Sequence, residues 1–245
     1  DAIKFQTFIA EETVAQSAPL ANHHIANTGK KLNHFELIKK LELPFDCFIE
    51  LKAHCEEKGV IFISTPYDLP SAHFLINLRS EVIKIASSEM TNYPLLDVLG
   101  NSIIPVILST GMSAWEDIVD SVKFLENYHS NIGILKCTSN YPASPGSIHL
   151  RGIGKLKENF PQHVVGLSDH SEGDEICLTA VGLGVSLLEK HFTLDKNSWG
   201  PDHQASMLPD EFKNFVQSIR KAEQALGDKD WDIQKEEISQ KATMR

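Results

Sequence analysis

Residues 164–192 read VVGLSDHSEGDEICLTAVGLGVSLLEKHF. Val164, Val165 and Leu167 open a strand-like run that stops at Ser168, Asp169 and His170. A segment of helical period, GDEICLTAVGLG, follows, and a second strand-like run, VSLLEKHF, closes the stretch. Strand, helix and strand within about thirty residues form the βαβ unit of a parallel sheet, since parallel neighbours need a crossover of that length.

The same alternation extends outward from this unit. AIKFQTF, VIFIST, VIKIAS, PVILST and IGILKC read as earlier strands, giving seven with the two above. DLPSAHFLINL, YPLLDVLG, SAWEDIVDSVKFLENY, LRGIGKLKENF and PDEFKNFVQSIRKAEQALG read as helices. Ser113 three residues before Glu116 predicts a capping box, Pro209 suits a first helical turn, and Gly227 suits a C-cap. Between Phe8 and Val60 the period breaks into a polar loop around NHHIANTGKK and two helical patterns, HFELIKKLEL and DCFIELKAHCEEKG. A loop of that length carries function or is mobile. The tail DKDWDIQKEEISQKATMR lacks a sustained apolar face, and 228–245 is expected to be a linker.

Seven strands in 245 residues predict an α/β fold: a (β/α)8 TIM barrel over 1–227 with its first strand missing. An open doubly wound sheet is the alternative. A dinucleotide-binding sheet of that kind would need a Gly-x-Gly-x-x-Gly turn after the first strand, which is absent here. Polar residues instead gather at the C-terminal end of every strand, where barrels place their active sites. The chain opens on DAIKFQTF in mid-strand, without methionine, and is expected to be part of a longer polypeptide.

The formal charge is -10 with no Lys/Arg cluster, which argues against a nucleic-acid or acidic-membrane partner. No apolar run is long enough to span a bilayer. Cys47, Cys55, Cys137 and Cys177 form no Cys-x-x-Cys pair and are expected to be free thiols in a reducing cytoplasm.

The strand ends carry Lys4 and Gln6, Ser64-Thr65, Lys84 with Ser87-Ser88-Glu89, Ser109-Thr110, Thr138-Ser139 with Tyr141, Ser168-Asp169-His170, and Glu189-Lys190-His191. Alternation puts Lys4 and Gln6 on one side of their strand. A lysine mid-strand, as at Lys84, is costly unless an anion meets it. Its partner is either an internal carboxylate, Glu89 or Asp202, or a substrate anion shared with Lys4. Two cations among the hydroxyls of Thr65, Ser87, Ser109 and Ser168 suit a phosphate, or a phosphate and carboxylate on one small molecule. His170 and His191 lie on neighbouring strands at one level, a candidate metal pair. With two nitrogens and otherwise oxygen, Mn²⁺ or Mg²⁺ is favoured over structural Zn²⁺. His203, in the segment after the last strand, is placed to fold over its mouth. Alternation rules out a Ser168-Asp169-His170 triad, leaving Asp169 a structural role at the following helix.

KFQTF, FISTPYD, KIASSEMTNYPLL, VILSTGMS, CTSNYPA, VGLSDHS, EKHFTLD and GPDHQAS, in this order, resemble the sialic acid synthase (nonulosonate synthase) family. The resemblance implies condensation of phosphoenolpyruvate with an N-acetylmannosamine-type sugar to a nine-carbon α-keto acid and phosphate. It makes His170 and His191 the Mn²⁺ ligands. It places phosphoenolpyruvate on Lys4, Thr65, Lys84, Ser87, Ser109, Ser139 and Ser168, with Ser139 standing where many members have Asn. It gives the amino sugar to Gln6, Glu89, Tyr141 and Asp202, with Glu89 and Asp202 as candidates for proton transfer. It also implies a cytoplasmic homodimer whose C-terminal antifreeze-like domain would follow the linker, and a first strand carrying a Glu. A synthase acting on a phosphorylated sugar and a non-catalytic sugar-binding barrel remain as alternatives.

Overall fold

The computed structural model describes residues 1–19, 33–228 and 232–244. The loop NHHIANTGKK, with His23 and His24, lies outside them. All seven expected strands form: β1 (Ala2–Thr7), β2 (Ile61–Pro66), β3 (Val82–Ile85), β4 (Val106–Ser109), β5 (Ile132–Cys137), β6 (Val164–Asp169) and β7 (Leu187–Lys190). Every neighbouring pair is parallel, and the sheet runs in sequence order.

The sheet is curled. Strands sit about 4.8 Å apart, so a flat sheet would separate β1 from β7 by roughly 29 Å. Instead Lys4 Nζ on β1 lies 2.8 Å from Glu189 Oε2 on β7. Inward side chains of the first and last strands therefore meet across a seven-stranded, partly closed barrel.

Register decides what lines that interior. Gln6 pairs with Thr65, Cys137 with Ser168, and Ser168 with Glu189, so these side chains share the inner face. The outer face carries Phe62, Ile83, Ile85, Leu108, Ile134, Val165 and Leu167, all buried against the helices. Burying such side chains contributes about 1.5–3 kcal/mol each, which fixes which face turns inward.

The helices before β2 are α1 (Ala10–Thr13), α2 (His34–Leu41) and α3 (Phe45–Lys58). Then come α4 (Leu69–Asn77), α5 (Tyr93–Asn101), α6 (Trp115–Glu126), α7 (Pro145–Ile148), α8 (Gly152–Asn159), α9 (Glu175–Gly182), α10 (Pro209–Leu226) and α11 (Lys235–Met244). Pro209 takes the first turn of α10 and Gly227 its C-cap, as expected. The predicted capping box at Ser113 shifts by one residue. Ala114 is the N-cap, its N–H donates to Asp117 Oδ2, and Ser113 Oγ donates to the Gly111 carbonyl instead. The expected linker contains α11, which buries no residue. An absent apolar face forecasts the absence of packing. It does not forecast coil: Glu236 and Glu237 in the first turn and Lys241 in the last suit the helix dipole.

Asp169 and Lys190 alternate away from the interior. Lys190 Nζ lies 2.6 Å from Asp169 Oδ2, both side chains nearly solvent-free, and donates to the Ser171 carbonyl at 2.6 Å. Asp169 also accepts from Ser171 N–H at 3.0 Å, a structural role as expected, but in the turn after β6 and not at the helix α9. The pair ties β6 to β7 one residue before His170 and His191.

Candidate active site

The inner face ends in a polar mouth. Lys84, buried at the centre of β3, donates to Ser109 Oγ at 2.6 Å and to the Ile85 carbonyl at 2.8 Å. Neither expected partner, Glu89 or Asp202, bonds to it. The carboxylate that weighs most on Lys84 is Glu189, because curling carries β7 across the interior. Glu89 instead accepts from Asn92 Nδ2 at 2.7 Å, and Asp202 lies 4.0 Å from His191 Nδ1.

Charge and burial set the protonation states here. Burial pushes the Lys84 ammonium down to about 8 against the pull of Glu189. Burial alone would raise Glu189, but Lys84, Lys4 and the Ser168 hydroxyl outweigh it and hold the carboxyl well below its usual range. Ser168 Oγ donates to Glu189 Oε1 at 2.7 Å. Two ammoniums share one carboxylate, leaving one net positive charge aimed at the mouth of an acidic protein.

Beyond them lies a layer of small polar groups. The Ser87 hydroxyl accepts from Gly111 N–H at 3.0 Å and sits 3.5 Å from Cys137 Sγ, with Ser139 Oγ 4.0 Å from the same sulfur. Thr65 and Ser109 are also buried. Gly111 permits the close approach: a Cβ there would stand 2.2 Å from Ser139 Oγ and 2.8 Å from Ser87 Oγ. Gly111→Ala is expected to cost about 1–3 kcal/mol through overpacking, read as a lower urea midpoint. An unchanged midpoint would mean that both serines yield freely.

His170 and His191 face each other edge to face, ring centroids 5.2 Å apart, with the Tyr141 ring 4.2 Å from His170 and 5.6 Å from His191. His170 Nδ1 lies 2.9 Å from the Thr138 carbonyl and donates to it, so in the neutral ring the lone pair is on Nε2. Burial works against the His170 cation, but the Cys137 thiol and the Thr138 carbonyl raise it above the ordinary histidine value. Burial holds His191 down at about 4 despite Asp202, so it is neutral at pH 7. Burial also opposes the Cys137 thiolate, yet His170, Ser87 and Ser168 bring that thiol down to about 7.

The structure therefore gathers Lys4, Thr65, Lys84, Ser87, Ser109, Ser139, Ser168, His170, His191, Tyr141 and Asp202 around one mouth, with Gln6 and Glu89 at its rim. His203, in the segment after β7, has its Nδ1 2.7 Å from Thr193 Oγ1. Three lining residues escape the sequence reading: Glu189, Cys137 and Tyr67. For Glu189 a signal exists, because alternation puts it on the face of His191. A cavity of about 400 Å³ lined by Ser171, Lys190, Met207 and Phe215 lies on the other side of β7, and none of the inward polar residues lines it.

The NeuB family matches residues 1–231. The chain belongs to the NeuB family. The N,N'-diacetyllegionaminic acid synthase of Legionella pneumophila is 40% identical over 232 residues, 93% of this chain and 65% of that protein. The enzyme of the same name from Campylobacter jejuni is 38% identical over 231 residues, 93% of this chain and 69% of that protein. The chain thus spans about two thirds of the length of these NeuB-family relatives. The crystal structure of N-acetylneuraminic acid (sialic acid) synthetase from Leptospira borgpetersenii, in complex with citrate, superposes with a TM-score of 0.83 at 30% identity. It matches 99% of this chain and 80% of that one.

Proposed function

We propose that this NeuB-family chain condenses phosphoenolpyruvate with an N-acetylmannosamine-type amino sugar, forming a nine-carbon α-keto acid and phosphate. The observation that carries the reading is the juxtaposition of the Lys4–Glu189–Lys84 cluster with the His170–His191 pair in one mouth. The relatives above are named as synthases of two such acids, which supports the same reaction class.

Phosphoenolpyruvate is a masked enol whose C3 attacks the aldehyde carbon of the open-chain sugar. Lys4 and Lys84, with the hydroxyls of Thr65, Ser87, Ser109, Ser139 and Ser168, hold the polyanion and make the encounter effectively unimolecular. The new alkoxide takes a proton as water adds at C2; the tetrahedral intermediate then loses phosphate to give the ketone. Water releases the protons that the alkoxide and phosphate accept. Glu89 and Asp202 are the carboxylates at the sugar end of the mouth that we assign to this transfer.

The donor set fits Mn²⁺ or Mg²⁺. His170 in its neutral form would present Nε2 and His191 is neutral; no third His, Cys, Asp or Glu joins them among the described residues, so oxygens of water or substrate would have to complete the set. Two imidazoles completed by oxygen suit these ions over structural zinc. When bound, the cation supplies Lewis-acid polarisation of the aldehyde oxygen. We extend the fold reading to a (β/α)8 barrel in which an eighth strand fills the interval between β7 and β1. Its support is that these strands touch by inward side chains yet do not pair with each other. We assign a homodimer on the family resemblance and a cytoplasmic location on the free thiols.

His170→Ala is expected to abolish Mn²⁺-dependent phosphate release from phosphoenolpyruvate and N-acetylmannosamine, a loss of about 10²-fold or more in kcat. Full activity in that variant would remove the metal assignment.

A further inference from the structure

Tyr67 follows β2 and has no part in the reaction just described, yet it is held as firmly as the residues that do. Its N–H donates to the Thr7 carbonyl at 3.3 Å, and its ring meets Phe8 edge-on, centroids 6.3 Å apart. The next residue, Asp68, caps α4 through Ser71 N–H at 2.7 Å and reaches back to Ile9 N–H at 2.8 Å. The ends of β1 and β2 are thereby stapled together, and Tyr67 is fixed between them.

The phenol's polar end is also specified. Gln6, inward on β1 and exposed at the rim, donates from Nε2 to Tyr67 Oη at 3.1 Å. Because that oxygen accepts from Gln6, its own proton is left to donate elsewhere. After burial, the three groups that weigh most on the phenol are Glu89, Asp202 and Glu189, each from a different element. Carboxylates around a hydroxyl keep it protonated and make it a donor. An amide has the complementary pattern: its carbonyl accepts from a phenol, and its N–H donates to a carboxylate.

We propose that Tyr67, oriented by Gln6, is a specificity-determining residue that donates its hydroxyl to the acetamido carbonyl of the acceptor sugar. Glu89 or Asp202 accepts from the amide N–H. The inference rests on the reaction proposed above and names the group by which that reaction's acceptor is chosen. The same carboxylates disfavour a phosphorylated acceptor, since like charges face each other without an added cation.

Tyr67→Phe removes one hydroxyl and keeps the ring against Phe8. The decisive measurement is a cycle of wild type and Tyr67→Phe on two acceptors, N-acetylmannosamine and mannose, with phosphoenolpyruvate, alongside the melting temperature. The expected result is a kcat/KM loss of about five- to tenfold on N-acetylmannosamine, no loss on mannose, and unchanged KM for phosphoenolpyruvate and melting temperature. Equal losses on both acceptors, or none, would overturn the role of Tyr67 while leaving the condensation intact. If wild type neither turns over nor, by calorimetry, binds N-acetylmannosamine, the condensation and the Tyr67 role fall together. Calorimetric binding without turnover, weakened by Tyr67→Phe for N-acetylmannosamine but not for mannose, would sustain the recognition role alone. The same binding left unchanged would overturn it. N-acetylmannosamine 6-phosphate is expected to bind at least tenfold more weakly; equal binding would refute the charge argument.

Discussion

Replacing Lys84 with methionine is expected to lower kcat/KM for phosphoenolpyruvate by about 10²–10³-fold, the loss that follows removal of one preorganised donor to a reacting anion. The chain should remain folded. Lys84 is buried and, among the described residues, bonded only to Ser109 Oγ and the Ile85 carbonyl. Methionine fills similar space, and removing a buried charge relieves its desolvation cost. Lys4 still compensates Glu189. Kinetics and a thermal melt on one sample therefore separate catalysis from stability. Unchanged kcat/KM would contradict the anion-site assignment, and collapse of the fold would make Lys84 structural. The same lysine sets an alkaline limb. Its ammonium is pushed down to about 8, so its positive charge is present below that pH and lost above it. The KM for phosphoenolpyruvate should rise as pH climbs through this range, and the rise should be absent in Lys84→Met.

Replacing Lys190 with methionine is expected to cost about 3–5 kcal/mol of stability, measured by urea unfolding, because it leaves Asp169 charged, buried and unpaired. Among the described residues nothing else supplies a cation to that carboxylate: its other partners are the Ser171 N–H and hydroxyl and the Cys177 thiol. The double change Asp169→Asn with Lys190→Met should recover much of the loss, since it removes both charges. Equal destabilisation of single and double variants would place the effect in packing instead. The linkage sign follows from the pair. Burial would raise Asp169, but Lys190 and Ser171 depress it, so its stabilisation is present above the unfolded carboxyl pKa and is lost in acid.

The seven strands are legible because each combines a β-branched run with a polar C-terminal end, and alternation assigns Lys4, Lys84, Ser168 and His170 to the interior. Closure is what a linear sequence hides. Glu189 reads as one more polar strand end until curling brings β7 against β1, and this misassigns the carboxylate facing Lys84. Tyr67 stands beyond the last residue of β2, where alternation carries no information, and its direction is set by Phe8, Gln6 and Asp68. Cys137 reads as one more free thiol, because its place between serines and an imidazole is a three-dimensional fact. The residues around α6 show the limit at helix ends, where Ser-x-x-Glu and Ala-x-x-Asp overlap by one position.

The central claim is that the lysine cluster and the histidine pair serve one condensation. It is tested most directly by incubating the protein with phosphoenolpyruvate, Mn²⁺ and a panel of 2-acetamido and 2,4-diacetamido hexoses, quantifying phosphate and identifying the product by mass. One phosphate for each nine-carbon α-keto acid formed, dependent on the sugar, is the predicted result. Phosphate release indifferent to the sugar, or sugar-dependent thermal stabilisation with no product from any acceptor, would contradict it.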